Sequence, residues 1–381
     1  MADPPLKGLK VIELARILAG PWAGQTLADL GADVIKVESP EGDDTRRWGP
    51  PFIENPDGSR DAAYFHAANR GKRSVIADFT TDEGCAKVRN LVADADVLIE
   101  NFKFGGLAKY GLDYSSLAAV NPKLIYCSIT GFGQSGPYAK RAGYDFVIQG
   151  MSGLMDITGE PAGAPQKTGV AFADIFTGLY SVIAIQAALA QRAITGHGQH
   201  IDMALLDCMV GVLANQGLNF LASGEIPKRL GNAHPNIAPY AVFPCADGWF
   251  ILAVGNDRQF AAFCNVVGLG ELLDDARYTS NADRVANRDT LTETICDITR
   301  TWPSDKLLPA LENANVPAGP INTVEQAFAD PQVVHRSMKI AMKRGVDGAE
   351  IFGIRSPIKF SAAALDCDRP APLLGDGDQF A

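Results

Sequence analysis

Five short runs, Lys10–Leu14, Val34–Val37, Ser74–Phe79, Asp96–Asn101 and Leu124–Ile129, recur early in the 381-residue chain and are largely apolar, without regular polar alternation. A strand buried on both faces has no solvent side to mark, so such runs are the signature of a parallel sheet covered by helices. The intervening segments Gly24–Leu30, Glu83–Val92 and Tyr114–Val120 suit crossover helices. The predicted fold class is therefore α/β, a doubly wound large domain.

Further along, a helical pattern runs from Asp174 to about Ala193 and stops at Gly196, and a second apolar segment spans Ala204–Leu221. The stretch Ile175–Ala190 carries Thr177, Ser181 and Gln186 and falls short of the ~18–20 apolar residues a bilayer span needs, so it reads as a buried helix and no membrane partner is expected. From Gly224 the texture changes: Pro227, Pro235, Pro239 and Pro244 crowd one stretch before a smaller α+β unit at about 240–325. The expected division is 1–223 for the first part of the large domain, 224–330 for the linker and small domain, and 331–381 for a return segment. In that last segment, Phe352–Phe360 offers a strand for the first sheet. Acid and proline at the N-terminus do not resemble a secretory signal, so the expected location is cytoplasmic.

With 34 Lys and Arg against 44 Asp and Glu, the formal charge is −10, which argues against a nucleic-acid partner. The deficit is uneven: residues 1–141 hold 17 basic and 18 acidic side chains, making this near-neutral part the better host for an anionic ligand. Seven scattered cysteines form no C-x-x-C pair and read as free buried thiols, and no metal site is expected.

After the first run comes Ala19-Gly20-Pro21-Trp22-Ala23-Gly24, which is neither a dinucleotide fingerprint nor a P-loop. Gly20-Pro21 has the form of a helix start, with Pro at the first helical position; the free N–H groups there also suit an anion. Gly133-Gln134-Ser135-Gly136-Pro137 lacks the last glycine of a nucleophile elbow. His197 and His200 read as solvated loop residues. Asp174 stands immediately before an apolar helical run. Two readings are open for it: an N-cap, or a carboxylate kept ionised by the helix dipole for nucleophilic attack on an acyl group.

A series of motifs then runs through nearly the whole chain: Leu18-Ala19-Gly20-Pro21, Leu30-Gly31-Ala32-Asp33-Val34-Ile35-Lys36-Val37-Glu38, Asn69-Arg70-Gly71-Lys72-Arg73-Ser74, Ala95-Asp96-Val97-Leu98-Ile99-Glu100-Asn101-Phe102, Gly131-Phe132-Gly133, Gly143-Tyr144-Asp145 and Gly196-His197-Gly198-Gln199. In order and number they resemble the family III CoA-transferases (CaiB/BaiF family), the group that includes formyl-CoA and carnitine CoA-transferases and α-methylacyl-CoA racemases. The resemblance implies a Rossmann-like large domain, a smaller α+β domain and an interlocked homodimer. It also implies that coenzyme A or acyl-CoA is a substrate and that Asp174 is the catalytic aspartate, supported by Asp145 and Tyr144. CoA contacts carry over onto Leu18, Ala19, Ser39, Ala77, Asp78, Phe79, Thr80, Asn101, Phe102, Lys103, Lys109, Ala142 and Gly143, with Lys103 and Lys109 as phosphate or pantetheine partners.

The departures are informative. Lys103-Phe104-Gly105 stands where the family often has Arg-Pro-Gly, which removes a bidentate Arg contact. Leu18 replaces the Gln of formyl-CoA transferases, which argues against oxalate as acceptor. Racemases have His where this chain has Tyr144, and an unperturbed phenol, pKa ~10, is a poor base at neutral pH. A racemase and a noncatalytic acyl-CoA binding protein are the alternative readings. Cys127–Gly131, Gly153–Gly159 and Val316–Asn322 look most like the branch that moves CoA between dicarboxylic acids such as succinate and glutarate. The cation for a distal carboxylate is sought among Arg16, Arg46, Arg47 and His234.

Overall fold

The computed structural model of the chain describes residues 2–380. It divides into two compact units: Met1–Leu154, Lys167–Leu213 and Pro331–Ala381 form the first, and Met155–Gln166 with Ala214–Asp330 the second. The excursion at 155–166 carries no composition change that announces it.

The first unit is built on a six-stranded parallel sheet. Its strands are β1 (Lys10–Glu13), β2 (Asp33–Glu38), β5 (Arg73–Ile76), β6 (Val97–Glu100), β7 (Ile125–Thr130) and β8 (Gln199–Ala204), in the order β5-β2-β1-β6-β7-β8. A small hairpin, β3 (Phe52–Glu54) and β4 (Arg60–Ala62), stands apart from it. The order reverses direction between β1 and β6, the position where doubly wound sheets open a crevice beyond their carboxyl ends.

Odd and even positions of each strand feed different layers. Val11, Val34, Val97, Ile99, Cys127 and Ile129 pack with helices α1 (Ala19–Asp29), α6 (Phe172–Thr195) and α7 (Leu205–Gly211). Ile12, Ile35, Val75, Leu98 and Tyr126 pack on the opposite face with α3 (Asp82–Val92) and α4 (Tyr114–Val120). Both faces are thus covered, which is why the five runs show no alternation. The edge strand β8 escaped the sequence pattern because its residues alternate in burial and read QHIDMA.

Helix α6 is 24 residues long, more than its apolar stretch indicated, and by length and composition alone is long and apolar enough to cross a membrane. Within the unit, however, Ala173, Thr177, Ser181, Ile185 and Ala188 form a buried stripe, the spacing of a core-facing helix. It ends at Gly196, whose φ of 76° is the left-handed cap that glycine provides without strain. The segment Ala204–Leu221 is not one helix. It breaks at Val212–Leu213 into α7 and α8 (Ala214–Ser223), with Ala214 at φ 47°.

In the second unit, strands β9 (Tyr240–Cys245), β10 (Gly248–Ala253) and β11 (Ala318–Pro320) form an antiparallel sheet. Phe243, Phe250 and Leu252 join Phe260, Phe263, Leu291, Ile295, Leu307 and Leu311 from the helices that follow β10 in one core. Near the C-terminus, the strand expected at Phe352–Phe360 forms earlier, as β13 (Glu350–Ile354). It pairs antiparallel with β12 (Lys339–Lys343) instead of joining the main sheet, since a local hairpin satisfies its half-exposed pattern. What reaches the main sheet is the end of the chain. Asp376 and Asp378 accept hydrogen bonds from Ser74 N–H (3.0 Å) and Ile76 N–H (2.9 Å), covering the free edge of β5.

The carboxyl ends of β1 and β2, with the turn before β5, carry charges into the core. Lys36 donates to Glu13 (3.1 Å) and forms an ion pair with Asp43 (2.8 Å), and Lys72 donates to Glu13 (3.0 Å), Asn69 (2.8 Å) and the Pro21 carbonyl (2.8 Å). Arg46 clasps Glu38 through two nitrogens (2.9 and 2.7 Å), reaches Asp61 (2.9 Å) and lies over the Phe65 ring. All of these side chains are buried. Burial disfavours each charge, but partners decide the balance: Lys36 is held above its ordinary range by Asp43, Glu13 and Glu38, while Asp43 is held at about 2, Lys36 and Thr45 outweighing its burial. Lys72, with fewer compensating carboxylates, is drawn down to about 8. Removing Lys72 leaves Glu13 with Lys36 as its one cation and takes the donor from the buried Asn69 and Pro21 oxygens, so Lys72→Met should lower the unfolding free energy by about 3 kcal/mol in urea denaturation.

Candidate active site

Two helix N-termini meet at Asp174. Helix α5 (Asp145–Met151) begins with Asp145, and α6 begins two residues before Asp174. Asp174 is thus not the N-cap. Ala171 holds that place and contributes no side-chain bond, because the capping acceptor comes from elsewhere: one Asp145 carboxylate oxygen takes the Ala173 N–H (2.8 Å) and the Asp174 N–H (3.4 Å). Released from capping, the Asp174 carboxylate has no hydrogen bond or ion pair to any described residue.

The expectation that the helix dipole keeps Asp174 readily ionised needs correction. Burial, with the Asp145 charge second, pushes its carboxyl from the ordinary 3.8 up to about 7. Tyr64, on α2 (Ala63–Asn69), shares this environment: burial, then Asp174, Asp145 and Asp43, push its phenol up to about 12, and its ring meets Trp48 edge-on at 5.4 Å. No local motif marks Tyr64, and only the fold brings it near these carboxylates. Tyr144 precedes α5 as its N-cap residue and is 65% exposed. Gly143 is fixed by a close approach, since a Cβ there would stand 2.4 Å from the Cα of Gly131. Ala142, next to it, is exposed.

The loop before α1 is held in a demanding conformation. Ile17 has φ 72°, a left-handed region that a β-branched residue rarely enters. Asp43 accepts its N–H (3.3 Å), and the Asn101 amide brackets Arg16, accepting from its N–H (2.8 Å) and donating to its carbonyl (2.6 Å). Both ends of Asn101 are therefore committed to the protein. Leu18 and Ala19 follow, both buried, and Pro21 is the third helical residue, not the first.

Ser39, Phe79 and Phe102 come together with Leu14, Arg16 and Val37 around a cavity of about 90 Å³. Phe79 packs edge-on against Phe102 (5.4 Å) and Tyr110 (5.5 Å), and the Arg16 guanidinium lies 5.4 Å over Phe102. Ala77 is buried just before this cluster, while Asp78 is engaged locally by the Thr80 N–H (3.0 Å) and hydroxyl (2.6 Å). Lys103 lines a separate cavity of about 300 Å³ on the opposite face of the sheet from α6, together with Glu100, Tyr126, Ser128 and His200. Lys109 is exposed, its ammonium 4.5 Å over the Tyr110 ring. Asp174 lines neither cavity. His200 is not a loop residue: it lies on β8, 2.9 Å from the Ser128 hydroxyl and stacked on Tyr114.

Of the cations considered for a distal carboxylate, Arg46 is withdrawn, because its guanidinium is spent on Glu38 and Asp61. Arg16 and Arg47 are exposed and share Asp44. In the second unit, His234 Nδ1 accepts the Asn236 N–H (3.1 Å) and its ring packs on Tyr240.

Residues 6–378 match the family model described as CoA-transferase family III, and the chain belongs to that family. It is similar to the succinate–glutarate CoA-transferase of Agrobacterium fabrum, 62% identical over 98% of this chain and 94% of the relative. It is also similar to the human succinyl-CoA:glutarate CoA-transferase, 41% identical over 97% of this chain and 84% of the relative. Among solved structures, a CaiB/BaiF family protein from Brucella suis matches with a TM-score of 0.89 and 64% identity, covering 100% of this chain and 98% of that one. The chain is thus a CoA-transferase whose substrates are CoA thioesters, and the motifs that carried the resemblance identify the family correctly.

A carboxyl raised by burial makes stability depend on pH with a definite sign. Between pH 4 and 7 the unfolded chain ionises Asp174 while the folded one keeps it protonated, so stability falls as pH rises through that window. Asp174→Asn, which carries no charge, should gain thermal stability over the wild type progressively from pH 4 to pH 7 and hold a constant advantage above it, read from melting curves.

Proposed function

We propose that this enzyme transfers CoA between short dicarboxylic acids, of which succinate and glutarate are the type, with Asp174 as its nucleophile. The observation that carries this reading is the free carboxylate of Asp174, half-buried at the start of α6 while Asp145 does the capping. The names of the two similar transferases supply the substrate class.

The chemistry balances as two exchanges. The Asp174 carboxylate attacks the thioester carbonyl, the C–S bond breaks, and a mixed anhydride and CoA thiolate form. The thiolate attacks the aspartyl carbonyl, releasing the donor acid as its carboxylate and leaving an aspartyl-CoA thioester. An acceptor carboxylate then displaces CoA from that thioester to give a new anhydride, whose acceptor acyl carbon the thiolate attacks, regenerating the Asp174 carboxylate. For CoA, the cavity of Ser39, Phe79 and Phe102 offers aromatic faces and the Arg16 guanidinium. Leu18, Ala19, Ala77, Asp78, Thr80, Lys103, Lys109, Ala142 and Gly143 complete the proposed contacts. Asn101 serves this site by fixing Arg16. Arg16, Arg47 and His234 remain for the distal carboxylate.

Intact-protein mass spectrometry after mixing with succinyl-CoA tests the nucleophile. A CoA or succinyl adduct, removed by neutral hydroxylamine and mapped to Asp174, is expected. Asp174→Ala should lose the adduct and at least about a thousandfold in transfer rate while keeping CoA affinity; transfer at the wild-type rate would refute the assignment.

The interlocked homodimer belongs to the same proposal. Exposed Phe146, Val147 and Met151 on α5 and Leu179, Tyr180 and Ile183 on α6 form an apolar surface on two helices that pack together, as an interface requires. Sedimentation equilibrium should find a species of twice the 40.5 kDa chain mass, persistent at nanomolar concentration.

A further inference from the structure

Asp145 can cap α6 only if its carboxylate is held at the right angle, and one buried side chain does this. Gln149 lies one helical turn beyond Asp145 on α5 and is fully buried. Its Oε1 accepts the Thr168 N–H at 3.0 Å. A backbone N–H can only donate, so the amide orientation is settled, and Nε2 is the atom that faces Asp145 Oδ2 at 2.8 Å. The other oxygen, Oδ1, takes the first free N–H groups of α6. Thr168 is itself fixed, its hydroxyl donating to the Val170 carbonyl at 2.9 Å in the segment that leads into α6.

The links thus close a ring through the chain: Thr168 to Gln149, Gln149 to Asp145, Asp145 to the start of α6, and α6 back along the backbone to Thr168. Carboxylate torsions are broad, and Asp145 is only partly buried. Without the Nε2 donor, no other described side chain donates to Asp145. From the reading of Asp174 as nucleophile, we propose that Gln149 is a positioning residue for CoA transfer: its amide aims the Asp145 carboxylate at the α6 N-terminus and thereby fixes where the Asp174 carboxylate stands.

The titratable groups facing Asp174 are Asp145 from α5 and Tyr64 from α2. From α1, Ala19 and Trp22 pack at Gly178, and from α7, Cys208 meets the Thr177 hydroxyl. A change at position 149 therefore reaches Asp174 through Asp145.

The test measures kcat, KM for succinyl-CoA and the pH profile of kcat/KM in folded variants matched by thermal midpoint. Gln149→Met, similar in length but without a donor, should lower kcat about tenfold with KM changed less than twofold. Gln149→Glu places a second carboxylate against Asp145, so the acid limb of the profile should move up by about one pH unit. Combining Gln149→Glu with Asp145→Asn restores one donor and one acceptor across the same contact, and should recover most of the kcat lost in the single Gln149→Glu variant. This rescue also keeps the test decisive if Gln149→Met fails to fold. Transfer surviving in Asp174→Asn would overturn the nucleophile assignment and this proposal together. With Asp174→Asn inactive, unchanged kcat and an unmoved limb in Gln149→Glu, or no rescue in the double variant, would overturn the role of Gln149 alone.

Discussion

The carboxyl end of the sheet is held by charge in a place where charge is expensive. Glu13, Lys36, Glu38, Lys72, Asp43, Arg46 and Asp61 come from three strands and two intervening segments, and all are buried. Such a cluster is no cheaper than an apolar core. It is, however, selective: Lys36 of β2 and Lys72 before β5 converge on Glu13 of β1, an arrangement that a shifted register would break, and Arg46 ties the segment after β2 back to Glu38 with two-pronged geometry. The strand ends are thereby locked to the loop that follows β2, and Asp43 extends the lock to the strained backbone of Ile17. What lines the Arg16–Phe79–Phe102 cavity is thus set by the same carboxylates that align the strands.

Around Asp174 the logic is the reverse. The protein provides for the backbone of α6 and leaves the side chain unattended. A carboxylate that capped its own helix would be stabilised and blunted; with Asp145 borrowed for that task, Asp174 remains both accessible and reluctant to ionise. The like charge of Asp145 helps to make it so.

Much of the fold was legible because its signal is local. Strands covered on both faces cannot alternate, and their runs predict five of the six strands of the main sheet. β8 leaves no such run because an edge strand has a wet side, and the break inside the apolar segment Ala204–Leu221 is silent because hydrophobicity does not record a left-handed residue at Ala214. At the candidate site, the motifs single out Asp174 and Asp145, but the capping of one helix by Asp145 depends on a contact 28 residues apart in sequence. Arg46 looked available for a ligand and is not, since a sequence shows a cation without the acceptors waiting for it. Tyr64 and Gln149 carried no signal of their own: one is a tyrosine in a short helix, the other a polar residue on an apolar segment, and only packing gives either a role.

The last residues have a part in the sheet that their position in the chain conceals. Asp376 and Asp378 satisfy the outer edge of β5, a strand that leaves the ribosome some three hundred residues before them. Until Asp376 and Asp378 have emerged, that edge lacks these acceptors and is open to any passing strand. The large domain therefore cannot finish folding vectorially as it emerges. Its exposed side waits on Asp376 and Asp378, so losing these two acceptors would be felt first in how the nascent chain avoids its neighbours.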